Sequence, residues 1–238
     1  MTEIKRNKIY SALTKVSSWT GLSRIFGLIR DIVTTNLLGA SVFHDIFVVT
    51  LKIPNLFRRF FAEGAFNQAF IPIYSDYQKS NDEKNTQEFI NALAGSFLSI
   101  LFLFTILVLL ITPVFIFIFA PGFYYEESKR ILAIDLLRIM FPYLALISLV
   151  SFASGIQNTH DRFSLPAFTP LIFNITLIIA AILIAPMLDM PVYALAWGVL
   201  IAGFLQLLIH IYALKNLNRL PKPNINFSHS GQISVLKL

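Results

Sequence analysis

Charge lies inside apolar sequence at residues 23–31, SRIFGLIRD, and again at residues 43–74, FHDIFVVTLKIPNLFRRFFAEGAFNQAFIPIY. These two stretches contain eight charged side chains: Arg24, Arg30, Asp31, Asp45, Lys52, Arg58, Arg59 and Glu63. A single charge near the middle of a membrane-spanning helix costs roughly 2.5–3.5 kcal/mol. We therefore expect the charges to face protein or a water-filled cavity, and we expect that cavity to be mainly cationic.

The composition supports a bilayer environment for the chain. Of the 238 residues, 56% are hydrophobic and only 13% are charged, whereas soluble domains have about 25% charged residues. The mean hydropathy is +0.69 and the sequence pI is 9.6. A formal charge of +6 in a soluble protein would suggest nucleic acid. Here the membrane-flanking lysines and arginines account for it, and no nucleic-acid partner is expected.

The apolar runs predict six spanning helices, since a span needs about twenty mostly apolar residues. The fold class predicted is an all-α polytopic membrane protein. The six helices are expected at about 10–38, 42–74, 90–120, 130–157, 164–187 and 190–214. Together they form a transmembrane domain over residues 1–220, followed by a cytoplasmic linker and the start of a seventh helix over 221–238.

The basic residues predict the orientation of these helices. If the N-terminus is cytoplasmic, the inner segments are the leader, 75–89, 157–162 and the tail from Lys215. These hold eleven lysines and arginines, against two (Lys129 and Arg130) in the outer loops. Such a bias indicates that both ends of the domain lie in the cytoplasm.

Helical geometry places the charges of the second segment on one stripe. At 100° per residue, Asp45, Lys52 and Arg59 align, and the stripe continues to Glu63 and Asn67. Arg58 lies off this stripe, although a kink at Pro54 would rotate everything that follows. On the first helix the same count aligns Arg24 with Asp31 and turns Arg30 about 120° away. Geometry alone leaves the choice between Arg58 and Arg59 open.

Two interpretations of these charges remain open at this level. In the first, they line a cavity that holds an anionic headgroup, because arginine offers a planar fork of donors that matches phosphate oxygens. In the second, Arg30, Arg58 and Arg59 extend to the membrane surface while Arg24 pairs with Asp31 and Asp45 with Lys52. Intramembrane charges usually serve a function, which favours the cavity.

Other functional classes have little support in the sequence. The chain has no cysteine, and its four histidines show no metal-ligand spacing. No GxSxG, Walker-type or HExxH motif is present. No catalytic residue, metal or cofactor is therefore expected. Gln157, Asn174 and Gln206, in or beside apolar runs, are predicted to form interhelical hydrogen bonds.

The charged stretch also resembles a known family. SRIFGLIRD, followed by HDIFVVTLKIPNLFRRFFAEGAFNQAFIPIYSDY, is similar to the N-terminal signature of the MurJ/MviN family. Further stretches, PGF at 121–123 and NTHDRFSLPAFTPLIFN at 158–174, resemble the family in the same order. The family belongs to the multidrug/oligosaccharidyl-lipid/polysaccharide (MOP) transporters and flips lipid II, the lipid-linked peptidoglycan precursor, across the bacterial inner membrane.

This resemblance implies a six-helix lobe, one of two that enclose a central cationic cavity and alternate between inward- and outward-open states. The diphosphate-sugar head of the lipid would pass through that cavity. The family's important arginines correspond to Arg24, Arg30 and Arg58, and its important acid to Asp45. Arg59 and Glu63 are further candidates. Membrane lipids and lipid II are the expected partners.

The chain differs from the family in lacking the second lobe, so the lobe expected here needs a C-terminal lobe or a second chain to alternate against. Two further interpretations stay open. One is a transporter of another polyprenyl-linked saccharide or a drug. The other is a truncated membrane protein that binds partners or anionic lipid without transport.

Overall fold

A computed structural model describes residues 3–63, 65–80 and 82–224, and every regular element within these ranges is helical. The α-helices, in chain order, are α1 (Glu3–Leu38), α2 (Val42–Arg58), α3 (Ala65–Lys79), α4 (Glu83–Leu110), α5 (Thr112–Phe119), α6 (Pro121–Tyr124), α7 (Glu127–Met140), α8 (Tyr143–Thr159), α9 (Ser164–Ile179) and α10 (Val192–Asn216). Two π-helical turns, Arg59–Glu63 and Ala180–Ile184, extend α2 and α9, and a 3₁₀ turn covers Ala185–Met187. The fold is therefore all-α, as the sequence predicts.

Local signals explain where two of these helices begin. Gly39 adopts a positive φ of 64° after α1, a conformation that glycine reaches without steric cost. Ser41 then caps α2, its side-chain oxygen accepting a hydrogen bond from the His44 backbone N–H. Asp82 caps α4 in the same way, accepting from the Asn85 N–H at 3.0 Å. The turn at Gly39 and Ser41 brings α2 back beside the end of α1.

Within the described part of the chain, four helical segments are long and apolar enough to cross a membrane: Glu83–Leu110, Glu127–Thr159, Ser164–Met187 and Val192–Asn216. The chain is accordingly a multi-pass membrane protein. The predicted spans at 10–38 and 42–74 are helical in their described residues but are not among these four. A count of six therefore remains a prediction.

The helix bounds differ in places from those expected. α1 begins at Glu3 and α4 at Glu83, both earlier than the apolar runs, because polar first turns outside the bilayer stay helical. The predicted helix at 130–157 is divided between α7 and α8, which meet at Phe141 and Pro142. The predicted linker and helix start at 225–238 lie outside the described residues.

The proline at position 54 does not end α2. The helix continues through Pro54 to Arg58, and the change in helical winding comes at the π-helical turn Arg59–Glu63. A π-helical turn accommodates an extra residue, so it rotates the helix face that follows it. A straight count of 100° per residue therefore holds only up to this turn. The side chains of Glu63 and Asn67 lie outside the described residues, so their place on the stripe stays a prediction.

The helix α8 lies at the centre of the bundle. Its first half, including Leu144 and Ile147, packs in an apolar core shared with α2, α7 and α10. Its second half, including Phe152 and Ile156, packs in a second core with α3 and α4. The helix α1 packs mainly against α9, and only its end, at Val33, Leu37 and Leu38, packs against the first core.

Small residues let α10 approach its neighbours closely, as is common in membrane helices. A Cβ added at Gly198 would lie 2.9 Å from the Ala180 Cβ. A Cβ added at Gly203 would lie 2.8 Å from Cδ2 of Tyr143 and 3.0 Å from Cδ1 of Leu146. The close contact between α10 and α8 therefore depends on the absence of a side chain at Gly203.

Gly203→Ala is expected to lower the stability of the purified chain by about 1–3 kcal/mol, the usual cost of overpacking a core. The measurement is thermal unfolding in detergent, followed by circular dichroism. Gly21→Ala is the matched control, since nothing lies within 4 Å of a Cβ added there. Equal melting temperatures for Gly203→Ala and the parent chain would show that α10 and α8 do not pack this closely.

Candidate functional site

A cavity of about 1100 Å³ opens between α1, α2, α8, α9 and α10. One wall carries basic and polar side chains from α1, α2 and the following π-helical turn: Arg30, Asp31, Lys52, Asn55, Arg58 and Arg59. The opposite wall, from α8, α9 and α10, is apolar with a few neutral polar groups: Tyr143, Ile147, Thr169, Phe173, Asn174, Leu177 and Gln206. The cavity is thus cationic on one side and mostly apolar on the other.

Arg30 is the basic residue of this cavity with the most defined geometry. Its Nε and Nη2 donate to Oδ1 of Asp31 at 3.0 and 2.7 Å, and its Nη1 donates to Oδ1 of Asn174 at 2.9 Å. The guanidinium carbon lies 5.8 Å from the centre of the Phe173 ring, within the range of a cation–π contact. The Arg30 side chain is 27% exposed and Asp31 63% exposed, so this pair faces the open side of the cavity.

Asn174 fixes Arg30 from the opposite helix. The Asn174 side chain is buried in α9, where its Nδ2 donates to the backbone oxygen of Ser23 at 2.9 Å. Both ends of the amide are therefore used, one toward the α1 backbone and one toward Arg30. The hydrogen bonds join α9 to α1 at the edge of the cavity and hold the guanidinium in one place.

The other cations come from one short stretch. Arg58 ends α2 and Arg59 begins the π-helical turn, and both line the cavity. Lys52, which the sequence places on the same stripe as Arg59, lines it as well and is exposed. Both Arg58 and Arg59 line the cavity, so the structure does not select one of them over the other.

Two of the predicted site residues are not brought to this cavity, and a third has a side chain that the structure does not describe. Arg24 and Asp45 are exposed and do not line it, and the Glu63 side chain lies outside the described residues. The alternative pairing of Arg24 with Asp31 is wrong, because Arg30, the immediate neighbour, reaches the carboxylate instead. Among the described residues no ion pair joins Asp45 to Lys52 either. An ion pair that serves only packing therefore accounts for Arg30 but not for Arg24.

The predicted interhelical hydrogen bonds are confirmed. Besides Asn174, the Nε2 of Gln206 on α10 donates to the backbone oxygen of Thr169 on α9 at 2.9 Å. Gln157 on α8 contacts Nδ1 of His210 on α10 at 2.7 Å, and Nε2 of His210 contacts the Thr169 hydroxyl at 2.8 Å. Hydrogen bonds between polar groups thus connect the three apolar helices α8, α9 and α10.

Sequence analysis missed the contribution of Asn174 and of His44 to the cavity. His44 lines it, and its Nδ1 is buried without a hydrogen-bond partner among the described residues. Its position next to Asp45 was the only sequence signal. Asn174 stands 144 residues from Arg30, and no local pattern links two residues so far apart.

The arrangement suits a particular kind of ligand. Several guanidinium and ammonium groups along one wall attract an anion with several oxygens, because arginine forms paired hydrogen bonds to phosphate. The volume exceeds the about 300–1,000 Å³ of sites for drug-sized ligands. A large polar head with negative charge therefore matches both the charge and the size of the cavity.

Comparison with known proteins identifies similar sequences and a similar structure. A family model described as "Lipid II flippase MurJ" matches residues 34–238. A probable lipid II flippase MurJ of Buchnera aphidicola subsp. Acyrthosiphon pisum is 42% identical over 94% of this chain and 44% of its own length. The lipid II flippase MurJ of Burkholderia cenocepacia is 39% identical over 96% of this chain and 45% of its own length.

A solved structure, "Lipid II flippase MurJ, inward closed conformation", superimposes with a TM-score of 0.76 and 28% sequence identity. The match covers 93% of this chain and 45% of that structure. The chain spans less than half the length of these relatives.

Asn174→Leu is expected to weaken the binding of inorganic pyrophosphate to the purified chain about fivefold, because Arg30 loses one of its two fixed partners. Isothermal titration calorimetry in detergent measures this affinity. Asn36→Leu, an exposed position on α1 outside the cavity, is the control. An unchanged affinity in both variants would mean that Asn174 does not position Arg30 for an anion.

Proposed function

The chain belongs to the lipid II flippase MurJ family, and we propose that it forms one lobe of a two-lobe transporter that flips lipid II for peptidoglycan synthesis. In this proposal the diphosphate-sugar head enters the cationic cavity from the cytoplasmic leaflet. It leaves toward the periplasmic leaflet when the two lobes change their relative tilt. No covalent bond is made or broken, so the chain acts as a transporter and not as an enzyme.

The observation that carries the proposal is the cavity lined by Arg30, Lys52, Arg58 and Arg59 in an otherwise apolar bundle. Each charge costs roughly 2.5–3.5 kcal/mol if it faces lipid at mid-membrane. Grouping them around one water-accessible space avoids this cost and concentrates positive charge in it. A diphosphate is the part of lipid II that such a space attracts most strongly.

Asp31 gives the cavity a means of releasing its ligand. The Asp31 carboxylate occupies two donors of Arg30, at 3.0 and 2.7 Å. A phosphate group that binds Arg30 must compete with this carboxylate, while Asn174 keeps the guanidinium in position. Binding is then an exchange of one anion for another, which weakens the net affinity and allows the head to leave.

The remaining predicted site residues are assigned to the completed transporter. Arg24 and Asp45 are exposed in this lobe, which leaves them available to a C-terminal lobe or a second chain. Glu63 follows Arg58 and Arg59 in the charged stretch and is assigned a secondary role there. The chain spans less than half the length of its relatives, so the second lobe is a required partner in this proposal.

The location proposed is the bacterial inner membrane, with the N-terminus in the cytoplasm. The support is the distribution of lysines and arginines, which are concentrated in the loops on one side. On this assignment the loop between α8 and α9 and the end of α10 are cytoplasmic.

Arg30→Ala and Arg58→Ala are each expected to weaken lipid II binding by the chain in nanodiscs roughly tenfold, the value of one lost charge-assisted hydrogen bond. Binding is measured with fluorescent lipid II. Arg130→Ala, at the start of α7 and outside the cavity, is the matched control.

The chain reconstituted in vesicles tests two further parts of the proposal, which are the need for a second lobe and the choice of lipid II as cargo. The chain alone is expected to bind lipid II without moving it between leaflets. Movement by the chain alone would contradict the need for a second lobe. Equal competition by an unrelated polyprenyl-linked saccharide would contradict the choice of lipid II as cargo.

Asp31→Asn is expected to tighten lipid II binding about fivefold, because Arg30 no longer shares its donors with a charged carboxylate. The dissociation rate, measured by stopped-flow fluorescence, should fall accordingly. Asp76→Asn, an exposed acid paired with Lys79 away from the cavity, should leave both values unchanged. Weaker binding in Asp31→Asn would instead indicate that Asp31 helps to hold the ligand.

A further inference from the structure

A second pocket, of about 450 Å³, lies at the end of the bundle where α8 ends, α9 begins and α10 ends. It is separate from the large cavity and shares none of its lining residues. The polar groups around it are Lys15, Gln157, Asp161, Arg162, Ser164 and Asn216. The proposed function makes no use of this pocket.

One side of the pocket is built to attract an anion. Lys15 and Arg162 both line it, and neither forms an ion pair with another described residue. The helix α9 also begins here, with Phe163 at its N-cap and no side-chain hydrogen bond to the first N–H groups. An uncapped helix N-terminus carries a partial positive charge and free donors.

The basic residues of this region also affect the pKa of a neighbouring histidine, His160. Burial lowers the pKa of His160, and the charges of Arg219 and Arg162 lower it further, against the opposing effect of Asp161.

A buried acceptor belongs to another residue that lines the pocket. Gln157 lines the pocket and is 1% exposed, and its Oε1 has no hydrogen-bond partner among the described residues. The hydrogen bonds around it determine which end of the amide is unpaired. The Thr169 hydroxyl donates to the backbone oxygen of Leu165 at 2.9 Å, so toward Nε2 of His210 it must accept.

It follows that the proton of the neutral His210 ring is on Nε2, and that Nδ1 accepts from Nε2 of Gln157 at 2.7 Å. The amide oxygen is then the unpaired end. A buried acceptor without a donor costs roughly 1–3 kcal/mol, so a donor brought close to Gln157 by a ligand would be stabilising. The Asp161 carboxylate at the rim is a second acceptor for such a donor.

The level of the pocket along the helices fits a lipid headgroup. Trp19 lies one turn after Lys15 on α1, and its ring N–H donates to Oγ of Ser164 at 3.1 Å. Its ring packs edge-on against Phe168 at 4.8 Å. Tryptophan with one polar and one apolar contact is typical of the membrane–water boundary, and basic pockets between helices at that level bind lipid phosphates.

We propose that this pocket binds the phosphoethanolamine headgroup of a membrane lipid, with the phosphate near Lys15 and Arg162 and the primary ammonium near Gln157 and Asp161. The chemistry requires both halves of the headgroup. A phosphate alone leaves the Gln157 oxygen unpaired, and a quaternary ammonium has no N–H to donate. The pocket should therefore distinguish lipids that share a phosphate and differ only in the amine.

Native mass spectrometry of the purified 238-residue chain tests this, with phosphatidylethanolamine and phosphatidylcholine of identical acyl chains. The chain should retain phosphatidylethanolamine about fivefold more strongly, the factor that one net hydrogen bond corresponds to. Arg162→Ala should weaken both lipids, and Gln157→Leu should remove the difference between them. Lys84→Ala, an exposed basic residue at the start of α4 outside the pocket, is the control.

Each other outcome overturns the proposal. Equal retention of the two lipids would exclude the ammonium contact, and stronger retention of phosphatidylglycerol would make this a plain anion site. Displacement of the lipid by soluble glycerophosphoethanolamine at equal concentration would show that no membrane anchor is needed. If Gln157→Leu fails to fold, the ratio between the two lipids in the parent chain decides.

Discussion

The structure depends on one constraint, which is that a charged side chain among apolar helices must have a polar neighbour. Arg30 meets it with three hydrogen bonds, two to Asp31 on its own helix and one to Asn174 on α9. Asn174 in turn binds the α1 backbone at Ser23. Because α1 packs mainly against α9, the bonds that satisfy the arginine also hold this helix to the bundle. The same hydrogen bonds therefore shape the cavity and stabilise the wall that α1 forms.

The sequence predicts the helices well because apolar runs and caps are local signals. It predicts the partners of the charges poorly, since these depend on contacts between distant segments. The 100° rule aligned Arg24 with Asp31, yet a long flexible side chain at Arg30 reaches the same carboxylate. Asn174 was correctly predicted to bond between helices, but nothing local identified its partner 144 residues away. Local geometry limits which residues share a face, and packing decides which of them meet.

The π-helical turn at Arg59–Glu63 is a backbone feature that the local sequence signals also failed to predict. Pro54 was the visible reason to expect a change of direction, but α2 continues through it. The turn begins at the second of two consecutive arginines, both of which line the cavity. Neighbouring residues on a helix differ by about 100° in direction, so a wide cavity accommodates both. The choice between Arg58 and Arg59, which helical geometry left open, therefore excludes neither from the cavity wall.

The polar groups beneath the cavity determine which parts of the lobe resist movement. Gln206, Thr169, His210 and Gln157 join α8, α9 and α10 through buried hydrogen bonds. Sliding one of these helices would leave buried polar groups unpaired, at roughly 1–3 kcal/mol for each. Around Arg30, by contrast, the Asp31 carboxylate is mostly exposed, and water or a ligand oxygen can replace it. The three apolar helices therefore form the stiffer body, and the wall around Arg30 is the part whose bonds exchange most easily.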